Sequence, residues 1–407
     1  MREYISVEKA AELLSDAALP VGSEELPLIE AAHRVSFDDV KALIDLPPFD
    51  RSVMDGYAIR AADAGCAHER PVTFPVVREI FAGQGSEEHF KPLRHGEAAR
   101  VATGAGVPEG ADCVVRQEDV KEEAGFITLS NAPFAHQNYA FAGEDARRGD
   151  ILASKGETLS SARLGLIAGQ GLSAIRVFSR PTVGVLSTGS ELAREDETAR
   201  PLPRGKIHDI NSVILATRLS SLGMNASLAP PLPDEASILT EKIKSMAQVC
   251  DMVITTGGVS VGQKDYMPLV AQKLAARTLF HGVAVKPGGV ALGMVVGEKN
   301  TVVLCLSGAP LAAVATFEVL ARPVLAKLSG NATVYPKRVS VEAGNSFDKA
   351  GSTRRLIWAR RDAGFVFFPG RTFGRLLTMA ECDCLIDADS CSLPIKQGAQ
   401  VRAIMTR

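Results

Sequence analysis

Three stretches decide the fold, and the first reads Val183-Gly184-Val185-Leu186-Ser187-Thr188-Gly189-Ser190-Glu191. The other two occupy residues 251–265 and 302–310. In each stretch an apolar run typical of a buried parallel strand leads into a loop of small polar residues, and a helix-like segment follows. Small residues let backbone N–H groups approach an anion, and the dipole of the following helix adds to the attraction. Three such loops on one sheet predict a single phosphate or oxyanion site.

The loops also exclude two common site types. No lysine stands in the Walker position after the glycines, which excludes a P-loop. The seven histidines show no H-x-x-H or H-E-x-x-H spacing. The residues that we expect to contact the bound anion are Ser187, Thr188, Gly189, Gly257, Gly258, Ser260, Gly262, Ser307 and Gly308.

Composition favours a multidomain globular protein. The 407 residues are 46% hydrophobic, a length for which about two to four domains is the ordinary expectation. The net charge of −2 does not favour a nucleic acid or an anionic membrane as a partner. The first residues lack a signal-peptide pattern, and no apolar run reaches bilayer length, so we expect a cytoplasmic protein.

The seven cysteines favour reduced thiols over a disulfide framework, because their number is odd and the chain is long. Cys113, Cys250 and Cys305 fall in or beside apolar runs and are expected in the core. Cys382 and Cys384 form a C-x-C pair on a strand-like run with Cys391 nearby. Alternating strand positions point to opposite faces, which favours structural cysteines over a metal cluster.

The periodicity of the sequence predicts four domains. Residues 1 to about 45 are predicted helical, with Ser6 as a cap and a second short segment over 26–33, and Ser160 caps a further helix. Short alternating runs between about 55 and 140 are all-β in character. We therefore predict a discontinuous helical linking domain (1–50 and 141–178) interrupted by an inserted β-rich domain (51–140).

Residues 179–330 alternate strands with helices and predict a doubly wound α/β domain, in which ligands bind beyond the carboxyl ends of the strands. Asn211 and Asp234 are candidate helix caps there, with Gly223 ending the helix that Asn211 begins, and Pro310 is a favoured first-turn residue. Short strands return over residues 331–407 and predict a small C-terminal β domain.

Acidic residues recur beside the glycine loops. Glu191 ends the first loop, Asp265 follows the second, and Asp234 follows another strand. Carboxylates alone would repel phosphate, whereas carboxylates with Mg²⁺ would bridge it, so the pattern favours a magnesium–phosphate site. A plain cap for Asp234 and a solvated loop residue for Glu191 remain open. Lys286, where a strand meets a turn, is a candidate ligand contact or an ordinary surface lysine.

Six motifs occur in one order and together resemble the molybdenum-insertion proteins of molybdenum-cofactor synthesis, the MoeA type that includes the E domain of gephyrin. The resemblance covers essentially the whole chain. The motifs are PFDRSVMDGYA (48–58), TGAGVPEGAD (103–112), GED (143–145), STGSEL (187–192), GGVSVG (257–262) and KPG (286–288).

The resemblance implies an elongated homodimer with four domains per chain and a molybdopterin-binding α/β domain. The implied active site lies between the α/β domain of one subunit and the β region of the other, where adenylylated molybdopterin and molybdate give molybdenum cofactor and AMP. A molybdopterin adenylyltransferase, molybdoenzyme apoproteins or chaperones are implied partners. The positions implied by the motifs are Asp55, Thr103, Asp145, Glu191, Asp234, Asp265 and Lys286.

The sequence departs from the family pattern at ligand-facing positions. Gly282 and Gly289 stand where the family usually has lysines, and Ala309 replaces the asparagine of a Pro-Gly-Asn-Pro loop. The usual Gln-Gly-Ser segment matches Arg371-Thr372-Phe373. Losing two charge-assisted hydrogen bonds weakens oxyanion binding by about two to four orders of magnitude. Arg204, Lys206 and Arg371 are candidates to compensate.

Three functions therefore compete. The leading one is Mg²⁺-dependent molybdenum insertion, favoured by Glu191, Asp234 and Asp265. The second is a catalytically weak paralogue that carries the pterin or its nucleotide for molybdoenzyme maturation, favoured by Gly282 and Gly289. The third, an unrelated protein that binds a magnesium nucleotide, requires all six motifs to be coincidental.

Overall fold

The structure is a computed structural model that describes residues 4–84, 91–193, 201–259, 266–349, 351–370, 375–389 and 393–406. The chain divides into two compact units. We call residues 26–155 and 159–175 the β-rich unit, and residues 1–25, 156–158 and 176–407 the α/β unit. The finer division into four domains stays a prediction.

The first 45 residues are less helical than predicted. Helix α1 (Val7–Ala17) begins as expected, with the Ser6 hydroxyl oxygen accepting the Lys9 N–H at 3.1 Å. Strand β1 (Ser23–Pro27), a 3₁₀ turn (Leu28–Glu30) and strand β2 (Val40–Lys41) follow instead of a second α-helix. Pro27 keeps Leu26 out of helical backbone, and His33 has a φ of +62°, so the segment between them holds only a 3₁₀ turn.

The β-rich unit is built around a six-stranded sheet in the order β7-β4-β6-β5-β9-β8. Its core contains the fully buried side chains of Tyr57, Phe74 and Ile127. Two short antiparallel pairs, β3 with β10 and β2 with β11, complete the strands of this unit. The strands are β3 (Arg51–Ser52), β4 (Gly56–Ile59), β5 (Val72–Ile80), β6 (Ala98–Val101), β7 (Cys113–Arg116), β8 (Val120–Glu123), β9 (Phe126–Leu129), β10 (Tyr139–Ala140) and β11 (Ile151–Ala153).

Helix α2 (Ser161–Gly169) confirms the predicted cap, because the Ser160 hydroxyl oxygen accepts the Arg163 N–H at 3.3 Å. Strand β12 (Ala174–Phe178) follows it. The all-β reading of residues 55–140 is confirmed, whereas the segments on either side mix helix with short strands.

The α/β unit contains a six-stranded sheet in the order β14-β13-β15-β18-β17-β16. Four neighbouring strands are parallel, and β17 runs antiparallel to both of its neighbours. The sheet is therefore mixed at one side. The strands are β13 (Thr182–Ser187), β14 (Asn225–Leu228), β15 (Met252–Thr256), β16 (Arg277–His281), β17 (Leu292–Val296) and β18 (Thr301–Leu306).

Helices cover both faces of this sheet, as the doubly wound prediction requires. Alternate residues of β18 enter two separate cores, Val302 and Leu304 with one set of helices and Val303 with the other. The first core includes α1, α3, α6 and α7, and the second includes α4 and α5. The helices are α3 (Asn211–Ser221), α4 (Ala236–Val249), α5 (Met267–Lys273), α6 (Pro310–Thr316) and α7 (Arg322–Ser329), with a π-helical turn (Phe317–Ala321) joining α6 to α7.

The C-terminal segment forms the predicted small β domain, a closed five-stranded barrel in the order β19-β21-β20-β22-β23. Leu356 and Trp358 face the core of the α/β sheet, whereas Ile357 faces the core of the barrel. The elements are β19 (Arg338–Ala343), β20 (Arg355–Asp362), β21 (Phe365–Phe367), α8 (Leu376–Glu381), β22 (Cys384–Ala388) and β23 (Gln400–Met405).

Candidate functional site

The structure brings the three glycine loops together at the carboxyl ends of β13, β15 and β18. The Thr188 N–H donates to the Thr256 carbonyl at 2.8 Å, which ties the first loop to the second. The Gly257 N–H donates to the Leu306 carbonyl at 3.1 Å, which ties the second loop to the third. The loops therefore form one continuous edge, and the ligand contacts along it stay predictions.

Gly257 cannot be replaced without moving this edge. Its φ is +88°, in the region that favours glycine, and a Cβ there would lie 2.1 Å from the Thr188 carbonyl oxygen. Gly308 packs closely as well, because a Cβ at that residue would lie 3.4 Å from the Gly257 Cα. The small residues predicted for ligand access thus also interlock the loops.

The amides of the edge have two different uses. Those of Thr188, Gly189 and Gly257 already donate to backbone carbonyls of neighbouring loops. Among the residues that the structure describes, no acceptor contacts the amides of Gly258, Ser307 and Gly308. These three amides are the donors that a bound anion can take. Ser260 and Gly262, also predicted ligand contacts, lie outside the described residues.

A network of buried hydroxyl groups connects the strand ends that lead into the first two loops. The Ser187 hydroxyl donates to Asp209 Oδ1 at 3.0 Å and lies 2.9 Å from the Ser212 hydroxyl and 3.0 Å from that of Thr256. Asp209 Oδ1 also accepts the Ser212 N–H at 3.2 Å, near the start of α3. The serine that we predicted as a ligand contact is 1% exposed and holds the strands together instead.

The predicted caps of two helices have other roles. Asp234 does not cap α4; its Oδ1 accepts the Thr188 hydroxyl at 2.7 Å, a bond that joins the segment before α4 to the first loop. Asn211 is the first residue of α3, and its Nδ2 donates to the Gly308 carbonyl at 2.8 Å. Both side chains were candidate caps of their own helices. In the structure each one instead forms a hydrogen bond with a residue of a glycine loop. Gly223 and Pro310 stand at the predicted helix ends, Gly223 with φ +81° and Pro310 in the first turn of α6.

Asn211 also presents an unused acceptor. It is only 8% exposed, and its Oδ1 is buried with no hydrogen-bond donor among the described residues. Leaving such an oxygen without a donor costs about 1–3 kcal/mol. A ligand hydroxyl or amine beside Gly308 would satisfy it.

Glu191 is exposed at the end of the first loop, and its carboxylate lies over Gly189, where a Cβ would sit 2.7 Å from Oε1. Its partner in the predicted magnesium site, Asp265, lies outside the described residues. Within the described part of the chain no group of three His, Cys, Asp or Glu residues is arranged to hold a metal ion. The carboxylates that the structure does show near the edge are those of Glu191, Asp209 and Asp234.

Lys286 is exposed, and its backbone pairs with the start of β20. Its N–H donates to the Arg354 carbonyl at 2.9 Å, and its carbonyl accepts the Leu356 N–H at 2.9 Å. This bridge pairs Lys286 with Arg355 along the backbone. The Arg355 Nε is buried and has no acceptor among the described residues. Arg355 is a second cation that the sequence did not single out.

Three cations were candidates to compensate for the lost lysines, and that role stays a prediction. The Lys206 ammonium donates to the Leu192 carbonyl at 3.4 Å, Arg204 is exposed, and Arg371 lies outside the described residues. The local backbone geometry explains why glycine stands at positions 282 and 289, where the family usually has lysine. Gly282 has a φ of +109°, and a Cβ on Gly289 would lie 2.7 Å from a backbone carbonyl oxygen.

In the β-rich unit the structure joins two of the predicted residues. Asp55 Oδ1 accepts the Thr103 N–H at 2.7 Å and the Thr103 hydroxyl at 3.0 Å. These two bonds, the backbone one first, lower the pKa of the Asp55 carboxyl from its usual value. Asp145 lies apart from this pair, with its Oδ2 4.0 Å from the Arg51 guanidinium.

The cysteines behave as predicted from the sequence. None of the six cysteines in the described part of the chain forms a disulfide, and Cys113, Cys250, Cys305, Cys382 and Cys384 are buried. Cys382 and Cys384 enter different cores, which separates their thiols, and burial raises the pKa of the Cys384 thiol to about 12. Cys391 lies outside the described residues.

The sequence missed four residues of the site: Asp209, Ser212, Thr256 and Arg355. Asp209 and Ser212 flank Asn211 at the start of α3, and polar residues at a helix start beside a strand end are the signal that could have found them. Thr256 ends β15, where the second loop begins. Arg355 gives no local signal, because only the pairing of β20 with the Lys286 turn brings it to the site.

No helix among the described residues is long and apolar enough to cross a membrane. The site itself is a loop edge that offers amide donors beside carboxylates, and the amide donors suit an anionic ligand.

Comparisons with known proteins agree across the whole chain. Residues 5–171 match the family described as the MoeA N-terminal region (domain I and II), and residues 184–327 match the family described as a probable molybdopterin binding domain. The molybdopterin molybdenumtransferase of Staphylococcus epidermidis is 32% identical over 412 residues, which cover 100% of this chain and 96% of that protein.

Two solved structures of the molybdopterin biosynthesis MoeA protein from Pyrococcus horikoshii are also similar. One has a TM-score of 0.85 at 26% identity and covers 100% of both chains. The other has a TM-score of 0.84 at 29% identity, covering 99% of this chain and 100% of that one. The full-length similarity, with both halves of the family present in order, shows that this chain belongs to the MoeA family of molybdopterin molybdenumtransferases.

Proposed function

We propose that this chain inserts molybdenum from molybdate into adenylylated molybdopterin and releases AMP, as a step of molybdenum cofactor biosynthesis. One observation carries the proposal: the three loops interlock at the carboxyl ends of parallel strands and leave the amides of Gly258, Ser307 and Gly308 for an anion. The pyrophosphate of adenylylated molybdopterin is such an anion. Amide donors fixed by their neighbours bind phosphate without paying for reorganisation.

Lys286 and Arg355 are the residues that we assign to molybdate. Their backbones pair, and the buried Arg355 Nε lacks an acceptor among the described residues, which supports the assignment. Arginine binds tetrahedral oxyanions through paired donors and keeps its charge at any working pH. This pair offsets part of the positive charge lost at Gly282 and Gly289. The carrier alternative rested on that loss, and the family relationship does not favour it.

A magnesium requirement is part of the proposal, and the described residues fit it. Mg²⁺ in phosphate sites typically takes one or two carboxylates, with water and substrate oxygens as the other ligands. The exposed Glu191 and the partly exposed Asp234 would hold it, with Asp265 as the third predicted carboxylate. When bound, the ion supplies charge neutralisation to the phosphate oxygens as the bond to AMP breaks. The Thr188 hydroxyl orients Asp234 by donating to its Oδ1.

Asp55, Thr103 and Asp145 are proposed site residues of the β-rich unit. The bonds from Thr103 keep Asp55 ionised, which suits a carboxylate that accepts a proton or a substrate hydrogen bond. A homodimer, a cytoplasmic location, and handover from an adenylyltransferase to apoproteins or chaperones complete the proposal. Light scattering tests the dimer, because a stable monomer of about the chain mass of 43.1 kDa contradicts it.

The reconstituted reaction tests the activity. Purified protein is incubated with adenylylated molybdopterin and molybdate, and AMP is quantified with and without added Mg²⁺. Magnesium-dependent AMP release that also requires molybdate supports the proposal. Binding of the adenylylated pterin with no AMP release under any of these conditions rejects the enzyme and favours a carrier.

A further inference from the structure

A second cavity of the α/β unit shares no residue with the glycine loops. It encloses about 370 Å³ between α3, the π-helical turn, β20 and α8. Small-molecule pockets begin at about 300 Å³. Val314 and Trp358, both buried, form an apolar floor, and Ile214 and Met379 form apolar walls.

A buried ion-pair cluster closes one end of this cavity. Glu318 is fully buried and accepts from the Arg218 Nε at 2.7 Å and Nη2 at 3.1 Å. The Arg322 Nη1 donates to the same carboxylate at 2.8 Å. Two guanidinium groups thus face one carboxylate, so the cluster carries one net positive charge. An anion that enters the cavity meets this surplus charge at its partly buried end.

Only one of the two arginines has a donor to spare. The Nε and Nη2 of Arg322 also bind the carbonyls of Val334 and Tyr335, and its Nη1 binds that of Met405. Among the described residues no acceptor contacts the Nη1 of Arg218, which lines the cavity.

The hydroxyls on the same wall do not add donors. That of Thr217 donates to the Val213 and Ile214 carbonyls, and that of Ser221 donates to the Arg218 carbonyl. Among the described lining residues, Arg218 is therefore the cationic donor, and Glu318, Thr217, Ser221 and Thr406 are the other charged or hydroxyl-bearing residues.

The helix geometry at Glu318 is a second, independent observation. Glu318 belongs to the π-helical turn Phe317–Ala321 between α6 and α7. Such single π turns are rare, and they occur frequently at functional sites. Here the turn carries the carboxylate that pairs with both Arg218 and Arg322.

We propose that this cavity is a ligand site for a small aromatic monoanion, whose ring packs between Trp358 and the apolar walls and whose carboxylate binds Arg218. The ring of this ligand matches the apolar part of the lining, and its carboxylate matches the one cationic donor, Arg218. The site is additional to the proposed molybdenum-insertion chemistry and does not depend on it.

Trp358 is the single tryptophan of the chain, so its fluorescence reports on this cavity alone. Benzoate is the probe, and benzamide is its neutral control of the same shape. The full-length protein should show a saturable change in tryptophan emission with benzoate, with a dissociation constant of about 1 mM or below. Benzamide should bind at least about tenfold more weakly, because it lacks the charge that strengthens the bond to arginine.

Two variants locate the binding. Arg218→Gln should weaken benzoate binding about tenfold or more, and Ile214→Phe should abolish it by filling the cavity while keeping the charge. Arg277→Gln, which removes an exposed arginine from the far edge of the sheet, is the matched control and should bind benzoate like the parent. Melting curves establish that each variant is folded, and Ile214→Phe decides the matter if Arg218→Gln does not fold.

Three results overturn the proposal. The first is no change in emission and no saturation-transfer NMR signal with millimolar benzoate. The second is equal binding of benzoate and benzamide. The third is unchanged benzoate binding in a folded Arg218→Gln or Ile214→Phe variant.

Discussion

The hydroxyl of Thr188 donates a 2.7 Å hydrogen bond to Oδ1 of Asp234, and this bond joins two loops that follow neighbouring strands of the α/β sheet. A carboxylate held this way has a fixed orientation and keeps its second oxygen for a ligand. The sequence alone also allowed Asp234 to be a plain helix cap. In the structure its side chain accepts a hydrogen bond from Thr188 and does not cap the helix.

Asp234→Asn should separate the charge of this residue from its structural role. Asparagine can still accept the Thr188 hydroxyl, so we expect the melting temperature to change by less than about 2 °C, as for a loss below about 0.5 kcal/mol. AMP release should fall by about tenfold or more, because one charge-assisted contact contributes about 1.5–3 kcal/mol. Thr188→Val is the converse control and should lower stability together with activity. An Asn variant with the parent's turnover removes the Asp234 charge from the mechanism.

The Asp55–Thr103 pair predicts a pH dependence. Because the folded pKa of Asp55 lies below its usual value of 3.8, the pair stabilises the folded state fully above that value. The stabilisation is lost as the pH falls through the lowered pKa. Thr103→Val should raise the Asp55 pKa only part of the way back, because the backbone N–H, the larger cause, remains.

Carbon-13 NMR titration of the Asp55 carboxyl measures this change directly. Thr128→Val, which alters an exposed threonine pair elsewhere in the β-rich unit, is the control and should leave the Asp55 titration unchanged. An Asp55 pKa that is the same in the parent and in Thr103→Val contradicts the assigned hydroxyl bond.

Restoring the family lysines should fail. A Cβ on Gly289 would lie 2.7 Å and 2.8 Å from the backbone oxygens of Val285 and Val283, and Gly282 has a φ of +109° with Tyr4 only 3.1 Å from a Cβ. We expect Gly289→Lys and Gly282→Lys each to cost about 1–3 kcal/mol of stability. Gly22→Lys, where a Cβ meets nothing within 4 Å, adds the same charge as a control and should be close to neutral.

Thermal unfolding and the molybdate dependence of AMP release measure both consequences of these changes. Stable lysine variants that use molybdate at lower concentration would show that the turn adapts and that its backbone does not exclude a side chain.

The start of β20 should depend on a buried ion pair. Arg354 binds Asp387 through its Nε at 2.6 Å and its Nη2 at 2.7 Å, and its Nη1 binds Glu8. Asp387 and Glu8 raise the pKa of the Arg354 guanidinium above its already high value, so the arginine stays charged. The Arg354 carbonyl in turn accepts the Lys286 N–H, which links the ion pair to the proposed molybdate cations.

Asp387→Asn should therefore lower stability by about 3 kcal/mol, because it leaves a largely buried arginine with only the exposed Glu8 as a charged partner. It should also raise the molybdate KM of the proposed reaction more than it lowers kcat. Asp362→Asn breaks an exposed pair with Arg360 on the same strand, and we expect a change below about 1 kcal/mol. Equal effects of the two changes would contradict the structural role of Asp387.

The sequence predicted the parts of the fold that follow from local patterns. Strands β5 and β19 fall in stretches predicted to be β, and the three glycine loops fall at the ends of three parallel strands. The errors came from contacts between distant segments. Asp234 and Asn211 have the right residue types for caps, but Thr188 and Gly308 bond to them from other loops.

Arg355 was missed for the same physical reason. It lies about seventy residues from Lys286 in the chain, and only the pairing of β20 with the Lys286 turn makes them neighbours. Periodicity and motif spacing contain no information on that pairing. The glycines at 282 and 289 were read as lost charge, whereas the backbone conformation at these positions explains why no side chain stands there.

The most direct test of the central claim is a single-turnover measurement that counts AMP and active molybdenum cofactor in the same sample. The parent protein, given adenylylated molybdopterin, molybdate and Mg²⁺, should produce the two in equal amounts, and omission of molybdate should suppress both. Adenylylated molybdopterin that stays bound and intact in the complete mixture would contradict the account and identify the protein as a carrier.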